Sequence, residues 1–242
     1  MQCGPSGNSS DPPSTTGLSL RNATVYDNVQ QWTGWLTCGN CGNSGAQGNT
    51  ATYQMMRGIS SPSESGSSAQ FSIGGPYPYT NAYWYYRHDA RNSAMSSLIY
   101  EFDLYVPAGS ENAPQAIEFE CQQRLNGYVY NFAWQAEYPS SRWRVFNYTA
   151  RQWEDAGIPL QRFAPNSWHH IVAEYHNDAT AHMTHHDALS IDGVRHAVNL
   201  VHLATPTGNQ TNEFTNAFQL DLNGAPIPYS VYVDKMKVSQ VD

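Results

Sequence analysis

Charge is scarce in this sequence. Asp, Glu, Lys and Arg make up only 13% of its 242 residues, about half the share usual in soluble domains. Lys and Arg number just 12, the formal net charge is -8, and no basic run exceeds two residues. The cationic footprint that nucleic-acid binding requires is therefore missing. Long apolar runs are missing too: none approaches the roughly 18 residues that would suggest a membrane-spanning helix. Helical periodicity is almost absent. Cysteines are few, at four.

What remains is apolar and aromatic. Hydrophobic residues reach 40%, enough for a core, and aromatics reach 13%, with 16 Tyr and 7 Trp. A surface poor in charge and rich in Tyr, Trp, Asn, Gln and Ser suits uncharged, hydroxyl-rich ligands. Aromatic faces stack on C–H surfaces, and amides hydrogen-bond hydroxyls. Residues 1–20 form a Gly/Ser/Pro/Thr segment that cannot bury a core and reads as a flexible tail. Residues 21–242 read as a single domain. A mature exported chain placed behind an added Met fits that start. So does a lipid anchor at Cys3, and both place the protein outside the cell or on its surface.

"WLTCGNCGNSG" sets Cys38 and Cys41 as a C-x-x-C in a Gly/Asn loop. Zinc needs a second ligand pair, and no second C-x-x-C exists. A redox motif would open a helix after a strand, which this glycine-rich context does not offer. A small disulfide loop in an exported protein is the expectation. Cys121 alternates with Ile117 and Phe119, which predicts a buried thiol.

Period-two alternation dominates. It recurs in "LIYEFDLYV" (98–106), "AIEFECQ" (116–122), "YVYNFAWQ" (128–135), "RWRVFNY" (142–148), "WHHIVAEYH" (168–176), "ALSIDG" (188–193), "HAVNLVH" (196–202), "FQLDL" (218–222) and "YSVYVDKMKV" (229–238). Gly, Pro, Asn and Asp separate these runs. Many strands at this spacing, without helices between them, mean an all-β antiparallel sandwich or barrel. Three of the runs carry a resemblance. "NSWHHIVAEYH", "ALSIDGVRHAVN" and the closing "YSVYVDKMKV" resemble the concanavalin A-like lectin and glucanase superfamily, including laminin-G-type domains. The resemblance covers roughly residues 95–240. It implies a jelly roll of two curved antiparallel sheets, with a concave face that often holds carbohydrate. That superfamily hosts lectins, glycosidases, lyases and adhesion modules, so fold does not settle activity.

The candidate site starts from "AIEFECQ". On a strand Ile117, Phe119 and Cys121 face one way, while Glu118, Glu120 and Gln122 share the other face. Carboxylates two residues apart lie roughly 6.5–7 Å from each other. Partly desolvated, they do not both ionise easily, so one pKa rises. That spacing falls in the range of the two carboxyl groups of glycoside hydrolases. Laminarinase-type enzymes of the resembled superfamily carry E-x-D-x-E on one strand. Either register of this sequence loses one carboxylate of that pattern, to Gln122 or to Ala116. Another strand would have to supply it. In "WHHIVAEYH", Glu174 and His176 share a face and are the candidates. Tyr128, Tyr130, Phe132 and Trp134 also share a face, which reads as a core stripe or as a stacking platform with Trp143. Arg144, Gln122, His176 and Tyr130 are the residue types of a polysaccharide lyase, but the lyase motifs are absent and an acidic protein suits a polyanion poorly.

His176, His182, His185 and His186 fall in a predicted hairpin tip, where adjacent side chains point apart, and no H-E-x-x-H occurs. Local hydrogen bonding is expected of them rather than metal binding. No cofactor is required by this reading. The resemblance adds a structural calcium ion, with Asp178, Asp192 and Asp234 as possible donors. The expected function is polysaccharide or oligosaccharide binding. The alternatives are a glycoside hydrolase using Glu118, Glu120 and Glu174, and an adhesive surface module with protein partners.

Overall fold

The computed structural model describes residues 23–39, 41, 51–88, 96–208 and 210–241. The proposed N-terminal tail and Cys3 lie outside the described residues. The described chain runs through β1 (Thr24–Tyr26), a 3-10 turn (Val29–Gln31), β2 (Leu36–Gly39), β3 (Thr52–Ile59), β4 (Ser68–Gly74), β5 (Asn81–His88) and β6 (Ser97–Tyr105). It continues with β7 (Pro114–Leu125), β8 (Tyr128–Glu137), β9 (Arg142–Asn147), β10 (Gln152–Pro159) and β11 (Trp168–Asp178). β12 (Met183–Ile191), β13 (Val194–Leu203), β14 (Thr205–Pro206), β15 (Glu213–Leu222) and β16 (Tyr229–Val241) complete it.

Two turns show how sequence sets register. Asn126 and Gly127 join β7 to β8 with φ of 51° and 82°. This is the two-residue turn whose twist matches paired strands. A Cβ on Gly127 would stand 2.9 Å from the Gly208 carbonyl oxygen, so the turn admits only glycine there. Asp192 and Gly193 join β12 to β13 in the same way, with φ of 50° and 82°.

The strands form two eight-stranded antiparallel sheets. The back sheet runs β13-β12-β11-β6-β16-β4-β3, with β1 on β16. The front sheet runs β10-β9-β8-β7-β15-β5-β2, with β14 on β8. Between them lies one aromatic core. Phe71, Trp84, Tyr100, Phe102, Phe119, Phe132, Trp134, Trp143 and Phe218 are all at most 1% exposed. Phe102 meets Phe119 edge-on at 5.0 Å, and Phe71 meets Phe218 at 4.9 Å, which ties front sheet to back. This is the all-β antiparallel sandwich that the alternating runs suggested. Cys121 is a buried free thiol, as its alternation with Phe119 predicted.

The described residues up to 88 held strands that alternation did not reveal. In β5, "NAYWYYRH", aromatics occupy both faces, so the two-residue rhythm is masked. β3 is an exposed edge strand with little to bury. The histidine segment also differs from the expected tip. His185 and His186 sit within β12, pointing apart. His186 turns into the core beside Trp134 and Tyr175, where burial lowers its pKa to about 3 and keeps the ring neutral.

Candidate functional site

The front sheet carries a groove of about 530 Å³ on the face turned away from the core. Register builds its floor. On β7, Ile117 and Phe119 face inward, so Glu118, Glu120 and Gln122 face the groove. Pairing then sets Glu118 between Gln135 of β8 and Gln219 of β15. It sets Glu120 between Ala133 and Ala217, and Asp221 beside Asn81 of β5. Phe146, Tyr148 and Trp153, from β9, the turn after it and β10, form an aromatic wall, with Tyr79 and Cys41 elsewhere on the lining. Cys41 is bonded to Cys38, so the expected disulfide forms and contributes to that lining.

Three carboxyl groups meet on this floor. Gln135 Nε2 donates to Glu118 Oε1 at 2.7 Å, and Gln219 Nε2 donates to Glu118 Oε2 at 2.8 Å. Gln219 also donates to Asp221 at 3.0 Å. Glu120 accepts from the Tyr83 hydroxyl and, at 3.5 Å, from Asn131 Nδ2. Desolvation raises the pKa of all three. Glu118 is pushed well above the carboxylate range, by burial first and then by the charge of Asp221. Asp221 is pushed up to about 6 by burial, against hydrogen bonds from Glu118 and Gln219. Glu120 rises by burial, opposed by Tyr83 and Asn131. Glu118 and Asp221 titrate as a hydrogen-bonded pair.

Some predicted site residues lie elsewhere. Glu174 is on the back sheet, 1% exposed and gripped by Arg195 through two bonds of 2.8 Å. It cannot approach Glu118, because the core lies between the sheets. His176 is on the same outer face, paired with Asp187 at 2.8 Å and stacked on His185 at 3.9 Å. Tyr130, Trp134 and Trp143 are core residues, so they offer no stacking platform. Tyr128 packs against that core and stacks on His182 at 3.7 Å. Arg144 faces Gln135 in the ladder but turns to Glu137 at 3.5 Å and Ser140 at 3.1 Å.

A third carboxyl group on the same floor comes from β15, as Asp221. "FQLDL" places Gln219 and Asp221 on one face, and "YVYNFAWQ" places Asn131 and Gln135 opposite its aromatic stripe. Both signals were in the alternation. The order β8-β7-β15-β5 that assembles them was not.

No group of three or more His, Cys, Asp or Glu among the described residues is arranged to hold a metal. The three possible calcium donors accept hydrogen bonds from the protein. Asp178 caps the amides of Thr180 and Ala181, Asp192 that of His170, and Asp234 those of Glu64 and Ser65. No helix among the described residues is long and apolar enough to cross a membrane.

The site carries a testable stability signature. Asp221 has its folded pKa raised to about 6 from an ordinary 3.8. Its favourable contribution is therefore complete below about pH 4 and is lost as pH rises through about 6. Asp221→Asn is expected to stabilise the fold at pH 7 by roughly 3 kcal/mol, with little gain left at pH 4. Denaturant melts at the two pH values check this, and an equal effect at both would contradict it.

The chain matches no protein-family model and no curated protein. Its fold has solved counterparts. A carbohydrate esterase from Shiga toxin-encoding bacteriophage phi24B is 11% identical, with a TM-score of 0.50, over 91% of this chain and 100% of that one. The alginate lyase of Aplysia kurodai is 14% identical, with a TM-score of 0.49, over 77% and 87%. A carbohydrate-binding module of the β-sandwich superfamily is 11% identical, with a TM-score of 0.42, over 84% of this chain but only 56% of that one. At such identities the likeness is one of fold.

Proposed function

We propose that this protein is exported and binds a polysaccharide or oligosaccharide along the concave groove of its front sheet. One observation carries the reading: an open groove joins an aromatic wall to a floor of amides and carboxyls. Rings offer flat apolar faces to sugar C–H surfaces, and the floor offers directed partners to hydroxyls. A groove open along its length accommodates a chain better than a closed pocket would. The Cys38–Cys41 bond supports an oxidising location. Binding of this kind needs no metal. A glycan array probed with the labelled full chain tests it. Retention on one class of glycan is expected, and silence across the array would overturn the reading in favour of an adhesive module.

A second reading, a glycoside hydrolase, is favoured by the meeting of Glu118, Glu120 and Asp221. Glu118, with the more strongly raised pKa, would hold the proton a leaving group needs. Glu120, fixed by Tyr83 and Asn131, would be the ionised partner. Reducing-sugar release from β-glucans, xylans and mannans separates the two readings. Turnover at least a hundredfold lower in both Glu118→Gln and Glu120→Gln, with binding kept, establishes the enzyme. Binding without release leaves the lectin-like reading alone.

A further inference from the structure

The charge of the groove narrows its ligand. Glu118, Glu120 and Asp221 lie on the floor, and no Lys, Arg or His is among the described residues that line it. The nearest guanidinium on the ladder, that of Arg144, is turned to Glu137. A polyanionic sugar would meet three carboxyl groups and no cation to pair with it.

Two further observations go beyond this acidity. The amide nitrogens of Gln135 and Asn131 are directed at Glu118 and Glu120. Their carbonyl oxygens, Oε1 and Oδ1, accept no hydrogen bond, although these side chains are only 5% and 4% exposed. The floor is thus rich in acceptors that lack donors, which is costly unless a donor arrives. Beside the carboxyls there is also a niche of about 10 Å³, bounded by Tyr83, Glu118, Glu120, Ala133, Ala217 and Gln219, with the core residues Phe119 and Phe218 also lining it. It exists because the ladder neighbours of Glu120 are both alanine. That is the room one water-sized group occupies. An ammonium has that size, carries three donors and has no acceptor.

Building on the glycan-binding reading, we infer that the groove takes an amino-sugar polymer with free amines, one ammonium seated in the niche beside Glu118 and Glu120. The aromatic wall of Phe146, Tyr148 and Trp153 would stack on the rings, which favours a sugar over a basic peptide. N-acetylation would remove the charge and put an acyl group too large for the niche in its place.

Calorimetry on the full chain tests this with four probes: a β-linked glucosamine oligomer, its fully N-acetylated form, a cello-oligosaccharide of the same length, and an oligolysine of equal charge. The free amine form is expected to bind roughly tenfold or more tightly than either uncharged oligomer, with the margin shrinking at high salt. Glu118→Gln with Glu120→Gln should erase the margin. Should that pair fail to fold, Ala133→Val fills the niche without touching a charge and should erase it too. Equal or tighter binding of an uncharged oligomer overturns the amine inference while leaving the glycan reading standing. Oligolysine binding as tight as the amino sugar also overturns it. No binding of any saccharide overturns the glycan reading itself.

Discussion

Asp234→Ala is expected to destabilise the fold by roughly 3–5 kcal/mol, lowering the melting temperature by about 10 °C. Asp234 is fully buried on β16 and serves as a hub. Its Oδ2 accepts from the Ser63 hydroxyl at 2.8 Å and from the amides of Glu64 and Ser65 at 2.8 and 2.9 Å. Its Oδ1 accepts from the Ser65 hydroxyl at 2.6 Å and from the Lys235 amide at 2.9 Å. Burial alone would raise its pKa, yet these donors together bring it below the ordinary range. Alanine would leave several of these donors without the carboxylate that gathers them. Asp234→Asn keeps one acceptor and should cost less. Thermal melts of both variants check the order, and a loss under 1 kcal/mol for alanine would contradict it.

The contrast between Asp234 and Asp221 separates structure from function. Both are buried aspartates at strand positions. Asp234 is surrounded by donors, which lower its pKa. Asp221 shares its space with Glu118 and has its pKa raised. The second arrangement is the one the proposed site would use, because a donor-bearing ligand could satisfy it.

The same contrast explains what could be read in advance. Alternation in "AIEFECQ" was enough to put Glu118, Glu120 and Gln122 on one face, because Ile117, Phe119 and Cys121 can only be buried. The three closing runs sufficed for the fold, because their turns and apolar residues are local signals. Asp234 was legible as a strand residue, but its set of donors was not, since the serines that bond it lie some 170 residues away. Glu174 failed for a related reason. Its parity was right, but parity does not say which sheet a strand joins, and β11 joins the back sheet through β6. Trp134 and Trp143 were ambiguous because a stripe of rings looks the same whether it faces a sugar or another sheet. The wall that does line the groove, Phe146 and Trp153, pairs across β9 and β10. Only the ladder brings those two rings together.

Trp153→Ala is the second large effect. Removing a ring from the groove wall is expected to weaken glycan binding by roughly 2 kcal/mol, about thirtyfold, with little change in stability because Trp153 is only partly buried. The back sheet offers a matched control. Trp168 packs on Tyr105 at 5.2 Å, and Tyr105 on Tyr232 at 5.9 Å, forming an aromatic cluster on the opposite face of the protein. The most direct test of the groove as the binding face is to titrate one bound glycan into wild type, Trp153→Ala and Trp168→Ala side by side. Affinity lost in Trp153→Ala and kept in Trp168→Ala is the predicted result. Loss in Trp168→Ala with Trp153→Ala unaffected would move the site to the back sheet and contradict the account.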